Sequence, residues 1–105
     1  MSPHIQVVTT IESEYLAKGI ATLLMERRLA ACCQVEGPIM SIYRWKETVE
    51  TATEWRIVIK TTSARWPELQ TAIRELHSYA TPELIVQEIV AGGAEYLAWV
   101  EAETK

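Results

Sequence analysis

The chain has no Asp, no Asn and no Phe, so all fourteen of its acidic residues are Glu. Without Asn or Asp, no hairpin here closes on an Asn-Gly or Asp-Gly pair, the dipeptides that take left-handed backbone most readily. Long apolar runs are missing too, and none approaches the roughly 18 residues of a membrane span. The opening MSPHIQVVTT has neither the basic segment nor the long apolar segment of a secretory signal. A cytoplasmic protein with no membrane partner is expected. Basic clustering is also absent: net charge is −4, and ERR at 26–28 is the densest group among ten scattered Lys and Arg. Affinity for phosphate chains rests on neutralising several phosphates, so no nucleic-acid partner is expected. Cysteine is limited to the adjacent Cys32 and Cys33. Neighbouring side chains on a strand point to opposite faces and pair only under strain, and two free thiols suit a reducing compartment. G-x-S-x-G, P-loop, H-E-x-x-H and C-x-x-C motifs are all lacking, which argues against an enzyme.

What is present is a globular balance, with 49% hydrophobic and 23% charged residues over 105 positions. That length fits one domain, residues 1–105, with a core large enough to need no disulfide or metal. IQVVTT reads as a short strand. From Ser13 the period changes: Leu16, Ile20, Leu23 and Leu24 fall on one helical stripe, with Glu14, Lys18, Thr22 and Glu26 opposite, and Ser13 or Thr10 is placed to cap it. LAACCQV and IMSIYRW, split by Gly37-Pro38, form one long bent strand. KETVETAT reads as the polar tip of a hairpin, and EWRIVIKT alternates, with Trp55, Ile57 and Ile59 on one face and Arg56, Val58 and Lys60 on the other. A second helix is expected from a Ser63 cap through Pro67 and Glu68 to His77. ELIVQEIV is a further strand, Gly92-Gly93 stops it, and Tyr96, Trp99 and Val100 share one side of a short terminal helix.

The order β-α-β-β-α-β with a short C-terminal helix is that of an α+β, ferredoxin-like sandwich, with one antiparallel sheet and helices on a single face. The other face is then expected to carry part of the set of four Trp, four Tyr and many Ile and Val. Patches of that size are seldom left to water, and the long hairpin of residues 39–60 offers exposed edges. Both features point to oligomerisation through sheets.

Five segments, taken in order, resemble the CutA family of divalent-cation tolerance proteins: LAACC, SIYRW, IKT, HSYATPELI and YLAWV. The resemblance covers nearly the whole chain. It implies a ferredoxin-like protomer and a homotrimer similar to the PII signalling proteins, and a role in the response to metal ions such as copper. Some bacterial members of the family are assigned copper through a Cys late in the first strand and two consecutive His residues. The matching positions here are Thr9, Leu76 and His77, so one ligand of three remains. Glu47 stands where the hairpin commonly has Gly, and Cys33 where a β-branched residue is usual.

His77 is the one metal candidate, a weak one for Cu²⁺, with the carboxylate of Glu83 as its helper. No cofactor is required by any motif. The plainer reading ends the second helix at His77, packs the Tyr79 ring and uses Pro82 to set up the next strand. The resemblance places this stretch near a subunit boundary, where Tyr43, Trp45 and Lys60 are expected to converge with Tyr79 and Glu83 in a ligand-binding cleft. Cys32 and Cys33 suit Cu(I) as thiolates, yet free Cys is among the most buried residue types. Two functions follow. The first is a trimeric, metal-responsive or small-ligand-binding protein. The alternative is a small acylphosphatase-like hydrolase on the same fold, which requires an Arg and Asn pair in a chain that has no Asn. RNA-recognition domains share the fold but need a basic setting.

Overall fold

A computed structural model describes residues 1–105. Eight elements follow one another: β1 (His4–Ile11), α1 (Glu14–Glu26), β2 (Cys32–Trp45), β3 (Thr48–Thr62), a 3-10 turn (Ser63–Arg65), α2 (Trp66–Leu76), β4 (Ile85–Glu88) and α3 (Ala94–Glu103). The strands form one sheet in the order β2-β3-β1-β4, and every pairing is antiparallel. The order of strands and helices expected from the sequence is therefore the order found.

The two-residue period of β1 sorts its side chains. Ile5, Val7, Thr9 and Ile11 are sealed from solvent and lie opposite Thr61, Ile59, Ile57 and Trp55 of β3. Helix α1 closes over this face with Ala17, Ile20 and Leu24, and α2 with Leu69, Ala72 and Ile73, making one core cluster. Burying each large aliphatic side chain here stabilises the fold by about 1.5–3 kcal/mol. Ser13 caps α1 as expected, its hydroxyl accepting the Leu16 N–H at 2.9 Å. Leu16 itself turns outward. Ser63 does not cap α2: it opens the 3-10 turn, Arg65 takes the cap position, and Pro67 sits in the first helical turn, where no N–H is needed.

Helix α3 is fixed mainly by polar contacts. His4 Nε2 lies 2.8 Å from Glu101 Oε1, Arg65 Nε donates to the Thr104 carbonyl at 2.6 Å, and Arg28 pairs with Glu103. Val100 is buried, whereas Tyr96 and Trp99 stand half exposed and lean on each other with ring centroids 5.6 Å apart. The stripe expected along this helix is thus split between core and surface.

Strands β2 and β3 make the longest pairing. Its root, Cys32 to Glu36 against Arg56 to Lys60, belongs to the sheet. A register shift follows at 36–39, where Gly37 has φ 155° and a Cβ would meet Trp55 Cδ1 at 2.7 Å. Beyond it, residues 39–54 pair from Ile39↔Glu54 to Trp45↔Thr48 and leave the body of the domain as an arm. The molecule is accordingly 44 Å long and 26 and 23 Å across. The expected polar tip over KETVETAT shrinks to Lys46 and Glu47, because the residues from Thr48 onward are already strand. Both turn residues have positive φ, 49° and 69°. That is the two-residue turn that normally recruits Asn-Gly, made here without either residue.

The uncovered sheet face is more polar than expected. Gln6, Gln34 and Lys60 sit on it with Val8 and Val58, and Arg56 pairs with Glu36 at 2.9 Å. The arm instead carries a run of exposed apolar residues: Met40 is 73% exposed and Ile42 66%, joined by Tyr43, Trp45 and Val49.

Candidate functional site

Where the arm leaves the domain, the turn after α2 folds against it. His77 ends α2, and its buried ring is held at both nitrogens: Nε2 donates to the Thr10 carbonyl at 2.8 Å and Nδ1 accepts the Tyr79 N–H at 3.0 Å. These two bonds fix the tautomer with the proton on Nε2. They also direct Tyr79, whose ring lies 4.8 Å from the imidazole and whose phenol donates to Glu54 Oε2 at 2.8 Å. Burial raises the Tyr79 phenol, and the hydrogen bond to Glu54 with the charges of Glu54 and Glu12 raises it further, well above the ordinary 10.0. On the same turn, the Ser78 hydroxyl lies 2.8 Å from each Glu12 oxygen. Burial raises the Glu12 carboxyl, but the hydrogen bonds from Ser78, the local backbone and Tyr79 outweigh it and hold the group below its ordinary value.

Between turn and arm lies a cavity of about 600 Å³, walled by Tyr43, Trp45 and Ile42 on one side and Tyr79 and Glu83 on the other, with Glu54 at its base. Four of the five cleft residues expected from the sequence therefore meet within one chain. Lys60 does not join them. It faces Gln6 and Cys32 in the register and its Nζ bonds Gln34, six strand residues or about 20 Å from Glu54. Glu54 was missed in the sequence because it closes a polar run that resembles a solvated tip. The one signal is its place at the head of the alternating EWRIVIKT segment, directly before Trp55.

The donor set around His77 does not fit a metal ion within the protomer. Both ring nitrogens are engaged, and no three His, Cys or Glu side chains converge on one point. Thr9 and Leu76, the positions matched to the two other copper ligands, belong to the core side: Thr9 is sealed from solvent with its hydroxyl unpartnered, and Leu76 packs on the core cluster. Cys33 lies on the helix side opposite Ile59, while Cys32 lies on the open face opposite Lys60. Burial, then the neighbouring Cys32, pushes the Cys33 thiol up to about 12. The two thiols cannot share an ion across the sheet.

Comparison with known proteins places this geometry. The family profile described as "CutA1 divalent ion tolerance protein" matches residues 5–103. A divalent-cation tolerance protein CutA from Thermus thermophilus is 39% identical over 98 residues, 93% of this chain and 95% of that protein. Human protein CutA is 38% identical over 96 residues, which are 91% of this chain but 54% of the human protein. Among solved structures, the Thermus thermophilus protein superposes with a TM-score of 0.95 at 37% identity, covering 97% of this chain and 99% of that one. CutA from Xylella fastidiosa does so with 0.96 at 32% identity, covering 99% and 100%. No match supports the acylphosphatase alternative. From the profile over residues 5–103 and the agreement of sequence and fold, this chain belongs to the CutA1 family of divalent-cation tolerance proteins.

Proposed function

We propose that the chain acts as a homotrimeric, ferredoxin-like and PII-like tolerance protein without catalytic activity, in which a cleft beside the arm binds a small ligand. The observation that carries this reading is the arm. Met40, Ile42 and Val49 form an apolar surface on the ribbon face opposite the one that carries Tyr43, Trp45 and Glu54, and such surfaces mark association. The number three rests on the resemblance to the CutA family. Metal response, in this reading, does not run through a tight site within one protomer. Copper at His77 has to displace the bond to Thr10 or to Tyr79, so any binding there is weak. The two free thiols support a cytoplasmic setting, although the CutA from Archaeoglobus fulgidus, a neighbour with TM-score 0.94, is described as periplasmic.

Sedimentation equilibrium tests the assembly. The expected mass is three times the 11.9 kDa of one chain, and a monomer at micromolar concentration overturns it. A thermal-shift screen of divalent metals and metabolites on the assembled protein, followed by calorimetry, tests ligand binding. The expected pattern is weak copper binding that Glu83→Gln and His77→Ala reduce. Tight copper binding that survives both substitutions moves the site to Cys32 or Cys33.

A further inference from the structure

The base of the cleft holds an incomplete charge. Glu54 is 7% exposed, yet it belongs to none of the six ion pairs of the protomer. The cation two residues along the strand, Arg56, is already paired with Glu36. One carboxylate oxygen, Oε2, accepts the Tyr79 phenol. The other, Oε1, has no protein partner, and it is not among the unpartnered polar atoms sealed from solvent, which are Thr9 Oγ1 and Trp55 Nε1. It opens into the cavity. A carboxylate withdrawn from water and left without a counter-charge is unfavourable, and a cation delivered through the cavity removes the penalty.

The rest of the lining selects the kind of cation. Among the 10 lining residues there are two carboxylates, Glu54 and Glu83, and no Lys, Arg or His. Tyr43, Trp45 and Tyr79 supply aromatic faces, which attract cations and hold them within about 6 Å of the ring. A hard divalent ion takes about six oxygen ligands, and no third acidic side chain converges here. A cavity of about 600 Å³ is of the size that takes small organic molecules. Resting on the reading of this cleft as a ligand site, we propose that it binds an organic cation, an alkylammonium or alkylguanidinium group. Its charged head sits on Glu54 Oε1 and its short carbon chain lies along Tyr43 and Trp45, which share the Glu54 face of the ribbon, with Glu83 strengthening the attraction at the rim. The same chemistry is offered by a free amine and by a Lys or Arg side chain of a second copy, and the inference commits to the free amine.

Calorimetry on the assembled protein at low ionic strength decides, with butylammonium chloride as probe and 1-butanol as its neutral counterpart. The expected result is one saturable site per chain for butylammonium, at least tenfold tighter than for butanol. Glu54→Gln weakens it at least tenfold. Tyr79→Phe, which frees Oε2, retains it. Circular dichroism and light scattering on each variant monitor fold and assembly. Should Glu54→Gln not fold, Trp45→Ala serves instead, with a several-fold loss for the amine and little change for the alcohol. Absence of saturable binding, equal affinity for butanol, or undiminished binding by folded Glu54→Gln overturns the inference. If the wild-type protein takes no amine and Glu54→Gln dissociates it, the cation is a side chain of another copy: the inference falls and the assembly reading stands. If a monomeric protein binds butylammonium through Glu54, the assembly reading falls and the inference stands.

Discussion

The root and the arm of the β2–β3 hairpin are continuous in sequence and joined through the register shift at 36–39, yet they meet opposite fates. At the root, Ile57 and Ile59 are 0% exposed under the helices. In the arm, Ile42 is 66% exposed and Met40 73%. Strand chemistry is the same in both, so what differs is the supply of a covering layer. A β-ribbon alone is marginal in water. The root draws its stability from its own chain; in the proposed assembly the arm draws on another copy.

The largest effect expected is at the root. Ile57→Ala leaves a cavity in a sealed core and lowers unfolding free energy by about 3 kcal/mol, as chemical denaturation will measure. If Ile42→Ala in the arm costs as much, the two halves are equally buried in the working protein and the contrast between them is a property of the single chain alone. Next comes Ile42→Glu, which places a charge in the proposed interface and weakens assembly by about 2 kcal/mol per chain, read as a shift from trimer to monomer in sedimentation. A trimer indifferent to this change uses another surface.

Tyr79→Phe acts at the junction of root and arm. It removes a partly buried hydrogen bond to Glu54 and costs about 1 kcal/mol. Because the folded phenol ionises above its ordinary 10.0, that stabilisation is complete below pH 10 and declines as pH rises further, and ultraviolet titration of the wild-type protein shows one late phenol that the variant lacks. Glu47→Gly at the arm's turn is expected to stabilise by about 0.5–1 kcal/mol, since it relieves a side chain held at φ 69°. The smallest effect at neutral pH concerns the cysteines of the root. Cys33, raised from 9.0 to about 12, stays protonated when the unfolded thiol ionises, so its contribution is full below pH 9 and is lost as pH rises towards 12. Thiol labelling of the folded protein at mild alkalinity is expected to modify Cys32 and spare Cys33.

How legible each region was follows the same division. Root, β1 and α1 announced themselves because a buried face imposes a period: Ile5, Val7 and Ile11 alternate, and Ala17, Ile20 and Leu24 recur at helical steps. The far strand of the arm was read as a polar tip because neither of its faces is buried within the chain, so Thr48, Glu50 and Thr51 carry no alternation to detect. Strand β4 came out at four residues, shorter than its apolar run, because it pairs only with β1. Tyr43, Trp45, Tyr79 and Glu83 were named through the family resemblance, and the structure brings them to one cavity. Glu54 carried only its place at the head of EWRIVIKT as a signal, since the phenol that marks it is 25 residues away in sequence.

Strand β1 accompanies β3 only as far as Trp55. Past that point residues 48–54 are bonded to β2 along one flank and to nothing along the other. In an antiparallel ribbon roughly every second amide points outward, so the arm carries a row of protons that trade with solvent at a rate set by whatever lies alongside. Isotope uptake in these amides becomes a gauge of coverage that needs no mutation: rapid along the outer flank of a solitary chain, slow wherever a neighbouring backbone has taken the vacant positions.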